Sequence, residues 1–169
     1  MSAAEDAAIR AGLCLCFPPD REVFSRTRAW HGTRPAWSVL VEMADRIVAH
    51  AAIVERQVLV GGEKVRVAGA LNVFVLPDCR GQGLFRQVMS SAMDEAYRRR
   101  SDFGLLFCTP EIGAKYERLG WRLLADRRVT RIDEQGQEQP LPAKNVTLFH
   151  PLRRSDFPAG DIHLLGNDW

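Results

Sequence analysis

No apolar run in this chain of 169 residues approaches the length that a membrane-spanning helix needs, so the membrane is set aside as a partner. The start is acidic and alanine-rich, with no basic stretch leading into an apolar one. No secretory signal is therefore expected, and a cytoplasmic location is the default. An excess of either charge is lacking: the formal net charge is +2, too small to point to nucleic acid. The clusters Arg98–Arg100, Arg127–Arg128 and Arg153–Arg154 read as solvated turns and helix ends, with a rim attractive to a polyanion as the lesser reading. The four cysteines, Cys14, Cys16, Cys79 and Cys108, show no metal-ligand spacing, and Cys14 and Cys16 are too close in sequence for an easy mutual bridge. Reduced thiols and no metal site are expected. No internal repeat and no dividing linker is found, so residues 1–169 read as a single domain.

What is present is a balance of 46% hydrophobic and 26% charged residues, enough to build a packed core at this length. Residues 1–19 show no clear apolar period beyond Leu13–Phe17. Asp20–Arg28 reads as a short helix with Asp20 as its N-cap. Trp37–Met43 reads as a strand and Asp45 marks a tight turn. Ile47–Val60 is a longer strand, and Gly61-Gly62 is a hairpin turn into a third, Val65–Leu76. Gln82–Arg100 places Leu84, Phe85, Val88, Met89, Ala92, Met93, Ala96 and Tyr97 on one helical face. Phe103–Cys108 is a continuous apolar run, as in a buried strand, and completes a βαβ unit. Pro110–Leu119 suits a shorter helix ending at Gly120. Trp121–Leu124, Val129–Ile132 and Asn145–His150 read as strands around a polar turn, Asp133–Gln139. One α+β domain is expected.

The sharpest feature lies where the third strand gives way to the long helix, at Arg80-Gly81-Gln82-Gly83-Leu84-Phe85. Two glycines let the backbone approach a ligand, and the first N–H groups of a helix have no partner within it. Free donors at the positive end of the helix dipole suit a pyrophosphate. A tight turn alone is the competing reading; the flanking strand and helix favour the ligand site. A Walker loop is excluded because no Gly-Lys-Ser/Thr follows, and a dinucleotide fingerprint because Arg86 stands where its third glycine belongs.

On these residues the chain resembles the GNAT superfamily of N-acetyltransferases. Arg80–Phe85 matches that family's Arg/Gln-x-x-Gly-x-Gly/Ala loop except at its last position, where Phe85 replaces a small residue. The order of elements over Trp37–Leu124 also agrees. The resemblance implies a mixed, mostly antiparallel central sheet, flanked by helices, whose fourth and fifth strands splay apart around acetyl-CoA. It implies that Val73, Phe74 and Val75 offer backbone groups to the pantetheine arm, and that Arg80, Gly81, Gln82, Gly83, Leu84 and Phe85 hold the pyrophosphate. Tyr116, in Lys115–Trp121, is implied as the acid that protonates the departing coenzyme A thiolate; packing against Trp121 as core is its alternative role. A phenol with an ordinary pKa of about 10 can donate at neutral pH. No general base stands out. Asn72 cannot accept a proton at neutral pH; His50, Glu55, Glu111 and the carboxylate of Trp169 are the remaining candidates. His50 reads first as a hydrogen-bonded strand histidine.

Within the superfamily the chain is most similar to aminoglycoside 2'-N-acetyltransferases, on Trp30, Ile47–Val54, the loop, Tyr116 with Gly120-Trp121, and the final Trp169. That likeness implies an acceptor site bounded by Trp30 and Trp169. The chain departs from it where Leu71 replaces a strand glutamate, where Arg28 and Arg34 lie near Trp30, and where Asn167 replaces an aspartate. Trp30-x-Gly32-x-Arg34-Pro35 also resembles nodulation N-acyltransferases, which act on an amino sugar. The tail Phe157–Trp169 reads either as a final strand with a frayed end or as a lid that closes the acceptor site. The expected function is transfer of an acetyl group from acetyl-CoA to a primary amine of a small molecule, with amino sugars among the acceptors, by direct attack in a ternary complex. A non-catalytic coenzyme A or acyl-CoA-binding module is the alternative, and a homodimer is compatible with either.

Overall fold

Residues 1–19, for which the sequence pattern predicts no element, fold chiefly as helix α1 (Ala3–Cys16) in the computed structural model, which describes residues 1–169. The Ser2 hydroxyl accepts from the Glu5 N–H while the Glu5 carboxylate accepts from the Ser2 N–H. This reciprocal cap satisfies two donors that the first turn would otherwise leave unpaired. Ile9 and Leu13, one turn apart, are fully buried. After a 3-10 turn at Pro18–Asp20 comes α2 (Arg21–Arg26), shorter than the helix predicted there. Asp20 occupies the N-cap position, but its side chain makes no capping bond, so its expected role is corrected.

Nine strands form one sheet: β1 (Trp37–Met43), β2 (Arg46–Val60), β3 (Glu63–Val75), β4 (Phe103–Cys108), β5 (Arg122–Leu123), β6 (Val129–Ile132), β7 (Glu138–Pro140), β8 (Val146–Pro151) and β9 (Ile162–His163). The two hairpin turns have left-handed central residues, Ala44 and Asp45 in one and Gly61 and Gly62 in the other. That geometry matches the twist of the strands it joins. All pairings are antiparallel except β3 with β4 and β6 with β9. Helices α3 (Leu84–Arg98) and α4 (Pro110–Glu117) follow β3 and β4.

Alternation along β2 builds two cores. Ala51 and Ile53 cluster with Val88, Met89, Ala92 and Met93 of α3, whereas Ala52 and Val54 cluster with Leu105, Leu164 and Trp169. The sheet is thus covered on both faces. The tail is not frayed: β9 lies between β2 and β6. The strands that part are the third and fourth in chain order, because α1 and not a strand opens the chain.

Candidate active site

β3 and β4 run side by side for only three pairs, Val67 with Phe103, Ala68 with Gly104 and Gly69 with Leu105. Beyond these, β3 stays with β2 as far as Val75 and β4 stays with β8 as far as Cys108. The facing edges therefore carry peptide groups without a strand partner, which a ligand bearing its own amides can satisfy. The Leu76 N–H donates to the Val48 carbonyl, and by two-residue alternation the backbone of Phe74 also faces β2. That leaves Val73 and Val75 facing the fork. The Val75 carbonyl already accepts from Arg80 Nε at 3.3 Å. The Phe74 side chain packs over Gly12 of α1, where an added Cβ would lie 2.4 Å from its ring.

One extra residue in β3 shapes the fork wall. His50 pairs with Phe74, yet Ala52 pairs with Leu71. Asn72, with φ of 53°, takes up the difference in a left-handed conformation that asparagine tolerates better than most residues. Its carbonyl lies 2.7 Å from His50 Nδ1, and its amide donates to the Arg28 carbonyl at 2.7 Å. His50 Nε2 lies 3.1 Å from Ser38 Oγ. With Nδ1 donating, Nε2 accepts from the hydroxyl, and neither nitrogen is free. Burial pulls the His50 pKa down to about 4. This histidine clamps the bulge and has no nitrogen left to act as a base.

A pH effect on stability follows. The unfolded chain protonates His50 near 6.5, whereas the folded chain resists until about 4. Between these values the unfolded state binds more protons, so stability is full above pH 6.5 and falls as the pH drops toward 4. The loss from this group is about 3 kcal/mol. Urea midpoints across that range should show the decline, and His50→Gln should flatten it.

At the head of α3, Gly81 and Gly83 have φ of 81° and 78°, values costly for any residue with a Cβ. Nothing lies within 4 Å of a Cβ added at either, so the conformation and not crowding requires glycine, and the space above is open. No side chain caps the helix, leaving its first N–H groups available. Arg80 and Gln82 are exposed while Leu84 is buried, so Leu84 can meet a ligand here only through its backbone. Phe85 does not crowd the loop. Its ring turns inward and meets Tyr116 edge-on, centroids 5.1 Å apart.

Tyr116 sits between this first turn and the end of β4. Its ring is buried, packs against Trp121 at 5.6 Å, and interacts with Cys108. Burial, with a smaller contribution from Cys108, raises the Tyr116 pKa, so the phenol keeps its proton throughout the neutral range. Burial likewise pushes the Cys108 thiol up to about 11. Glu55 is engaged elsewhere, accepting from Trp37 Nε1 at 2.7 Å with Arg99 at 3.5 Å. Glu111 is exposed in the first turn of α4, where its own N–H and Thr109 lower its pKa.

Trp169 lies at the root of the fork. It is 5% exposed, its ring is 5.1 Å from Phe107, and Arg56 stands 5.3 Å over it. A Cβ at Gly69 would come within 2.5 Å of three indole atoms. Gly69→Ala should therefore expel the indole, at a cost of about 1–3 kcal/mol; a red-shifted tryptophan emission with a lowered melting temperature checks it. Trp30, half-buried, stacks on Phe24 at 5.7 Å and meets His31 at 4.8 Å. Beside these residues opens a cleft of about 510 Å³ walled by His31–Arg34, Val54–Arg56, Ile132–Glu134, Gly166 and Asn167. No local sequence pattern marks this cleft, since four separate segments build it.

The family described as acetyltransferase (GNAT) domain matches residues 3–124, a span that takes in α1, the fork, the loop and Tyr116. The chain belongs to this family. Solved structures of like fold include the GNAT family N-acetyltransferase YhbS from Escherichia coli in complex with CoA. It has 19% identity and a TM-score of 0.71, over 98% of this chain and 87% of that one. A GNAT family acetyltransferase from Brucella melitensis in complex with acetyl-CoA has 19% identity and a TM-score of 0.63, over 96% and 90%. The ribosomal-protein-S18-alanine N-acetyltransferase from Escherichia coli has 18% identity and a TM-score of 0.61, over 92% and 93%. At these identities the likeness is one of fold. Comparison with curated proteins gives no match. No helix is long and apolar enough to cross a membrane.

Proposed function

We propose that the protein moves the acetyl group of acetyl-CoA onto a primary amine of a small molecule, by direct attack within a ternary complex. The fork carries this reading: two unpaired strand edges open beneath the uncapped start of α3. Pantetheine amides would pair with Val73 and Val75, and the pyrophosphate would rest on the N–H groups of Gly81–Phe85, with Arg80 and Gln82 beside it. Tyr116, at the mouth of the fork, is the donor to the leaving thiolate. A route through an acyl-cysteine is disfavoured, because a Cys108 thiol with its pKa near 11 is not a nucleophile at neutral pH. Trp30 and Trp169 bound the acceptor side, closed by the tail 157–169. An amino sugar is the first acceptor to test, on the likeness of Trp30-x-Gly32-x-Arg34-Pro35 to acyltransferases that act on amino sugars.

The test is thiol release from acetyl-CoA with glucosamine, spermidine and free amino acids, with mass spectrometry of the products. One thiol per acetylated amine is expected. Acetyl-CoA binding with no thiol released by any amine would leave a non-catalytic binding module instead.

A further inference from the structure

Two segments 137 residues apart in sequence meet beside the cleft through His31 and Asp168. The Asp168 side chain is 4% exposed, and its Oδ1 lies 2.7 Å from His31 Nδ1 and 3.4 Å from an Arg131 nitrogen. Asn167 ties the same segments together: its amide donates to the His31 carbonyl at 2.8 Å, and its side-chain oxygen accepts from Arg131 at 2.6 Å. His31 and Gly32, at φ of 44° and 76°, are the central residues of a two-residue turn closed by the paired Trp30 and Thr33, and this turn fixes the backbone from which the ring projects. Its ring is 40% exposed at the cleft wall. A carboxylate on Nδ1 fixes the imidazole tautomer whose lone pair is on Nε2. Both segments are anchored at the fork. Arg28, three residues before His31, receives the Asn72 amide at the bulge, and Trp169, one residue after Asp168, covers Gly69 at the root.

We infer that His31 is the general base of the transfer, oriented by Asp168, for an amine that enters through the cleft; the inference rests on the N-acetyltransferase reading. The ammonium gives one proton to Nε2, which passes it to solvent through the cleft. The freed nitrogen pair forms the N–C bond to the thioester carbonyl carbon. The C–S bond breaks with its electrons on sulfur, and the second proton lost from nitrogen balances the thiolate as thiol. Asp168 is a positioning residue. The charged groups around the pair are Arg131 on the shared carboxylate oxygen, Arg56 acting on Asp168, and Arg34, Glu55, Asp133 and Glu134 around the cleft.

The test compares the wild type with His31→Gln, His31→Ala and Asp168→Asn, using thiol release with glucosamine and spermidine as probes, acetyl-CoA titration calorimetry, and melting curves as folding controls. Both His31 variants should lose at least about 10²-fold in kcat with unchanged acetyl-CoA affinity. Added imidazole should partly restore His31→Ala. Asp168→Asn should lower kcat about tenfold or more with an unchanged KM for the amine. A His31→Gln enzyme within about twofold of wild type at every pH overturns the inference. So does an Asp168→Asn enzyme that changes only KM, which would make the pair a structural clamp. Failure of the wild type to bind acetyl-CoA would instead overturn the transferase reading, and this inference with it.

Discussion

Tyr116→Phe is expected to lower kcat about 10²- to 10⁴-fold while acetyl-CoA affinity stays within about twofold. The substitution removes one oxygen from a ring held by Phe85 and Trp121, so packing survives and only the proton donor is lost. Burial raises the phenol's pKa, hence the donor remains protonated across the working range. An alkaline fall in wild-type rate would then come from another group. Steady-state rates from pH 6 to 9, with calorimetric affinities beside them, read both parts. An unchanged kcat would return Tyr116 to a purely structural role, as one of the buried aromatics around Trp121.

Gly83→Val should weaken acetyl-CoA binding at least tenfold while the protein still folds, a loss of about 1.4 kcal/mol or more. A branched side chain at φ of 78° costs about 1–2 kcal/mol. The segment would relieve that strain by rotating, which turns the first N–H groups of α3 away from the pyrophosphate. No protein atom lies within 4 Å of a Cβ at this position, so a drop in affinity would report on the ligand site and not on repacking around that atom. Gly83→Ala should show the same effect in milder form. Unchanged affinity in both would mean that the phosphates are held elsewhere.

Local pattern was enough for the strands, the loop and the helix that build the fork. The limits of β1, β4 and β6 agree with those expected from their apolar runs, and α3 is shorter by two residues at each end than the expected Gln82–Arg100. The loop was legible because glycines there answer to backbone conformation, a property of the residue itself. α1 was missed although Ser2 and Glu5 spell its cap, since alanines give little apolar contrast for a periodic signal. β7 was hidden in a polar stretch, because an edge strand of three residues needs no buried face. The His31–Asp168 pair left no trace in the sequence. Its geometry depends on β9 threading between β2 and β6, and no spacing along the chain encodes that.

The fork between β3 and β4 as a coenzyme A site is the claim on which the rest depends, and a calorimetric titration with acetyl-CoA tests it most directly. Saturable binding of one acetyl-CoA per chain, with a Kd below about 1 mM and weakened by Gly83→Val, is the predicted result. No saturable heat up to about that concentration, from a protein whose melting curve shows it folded, would contradict it.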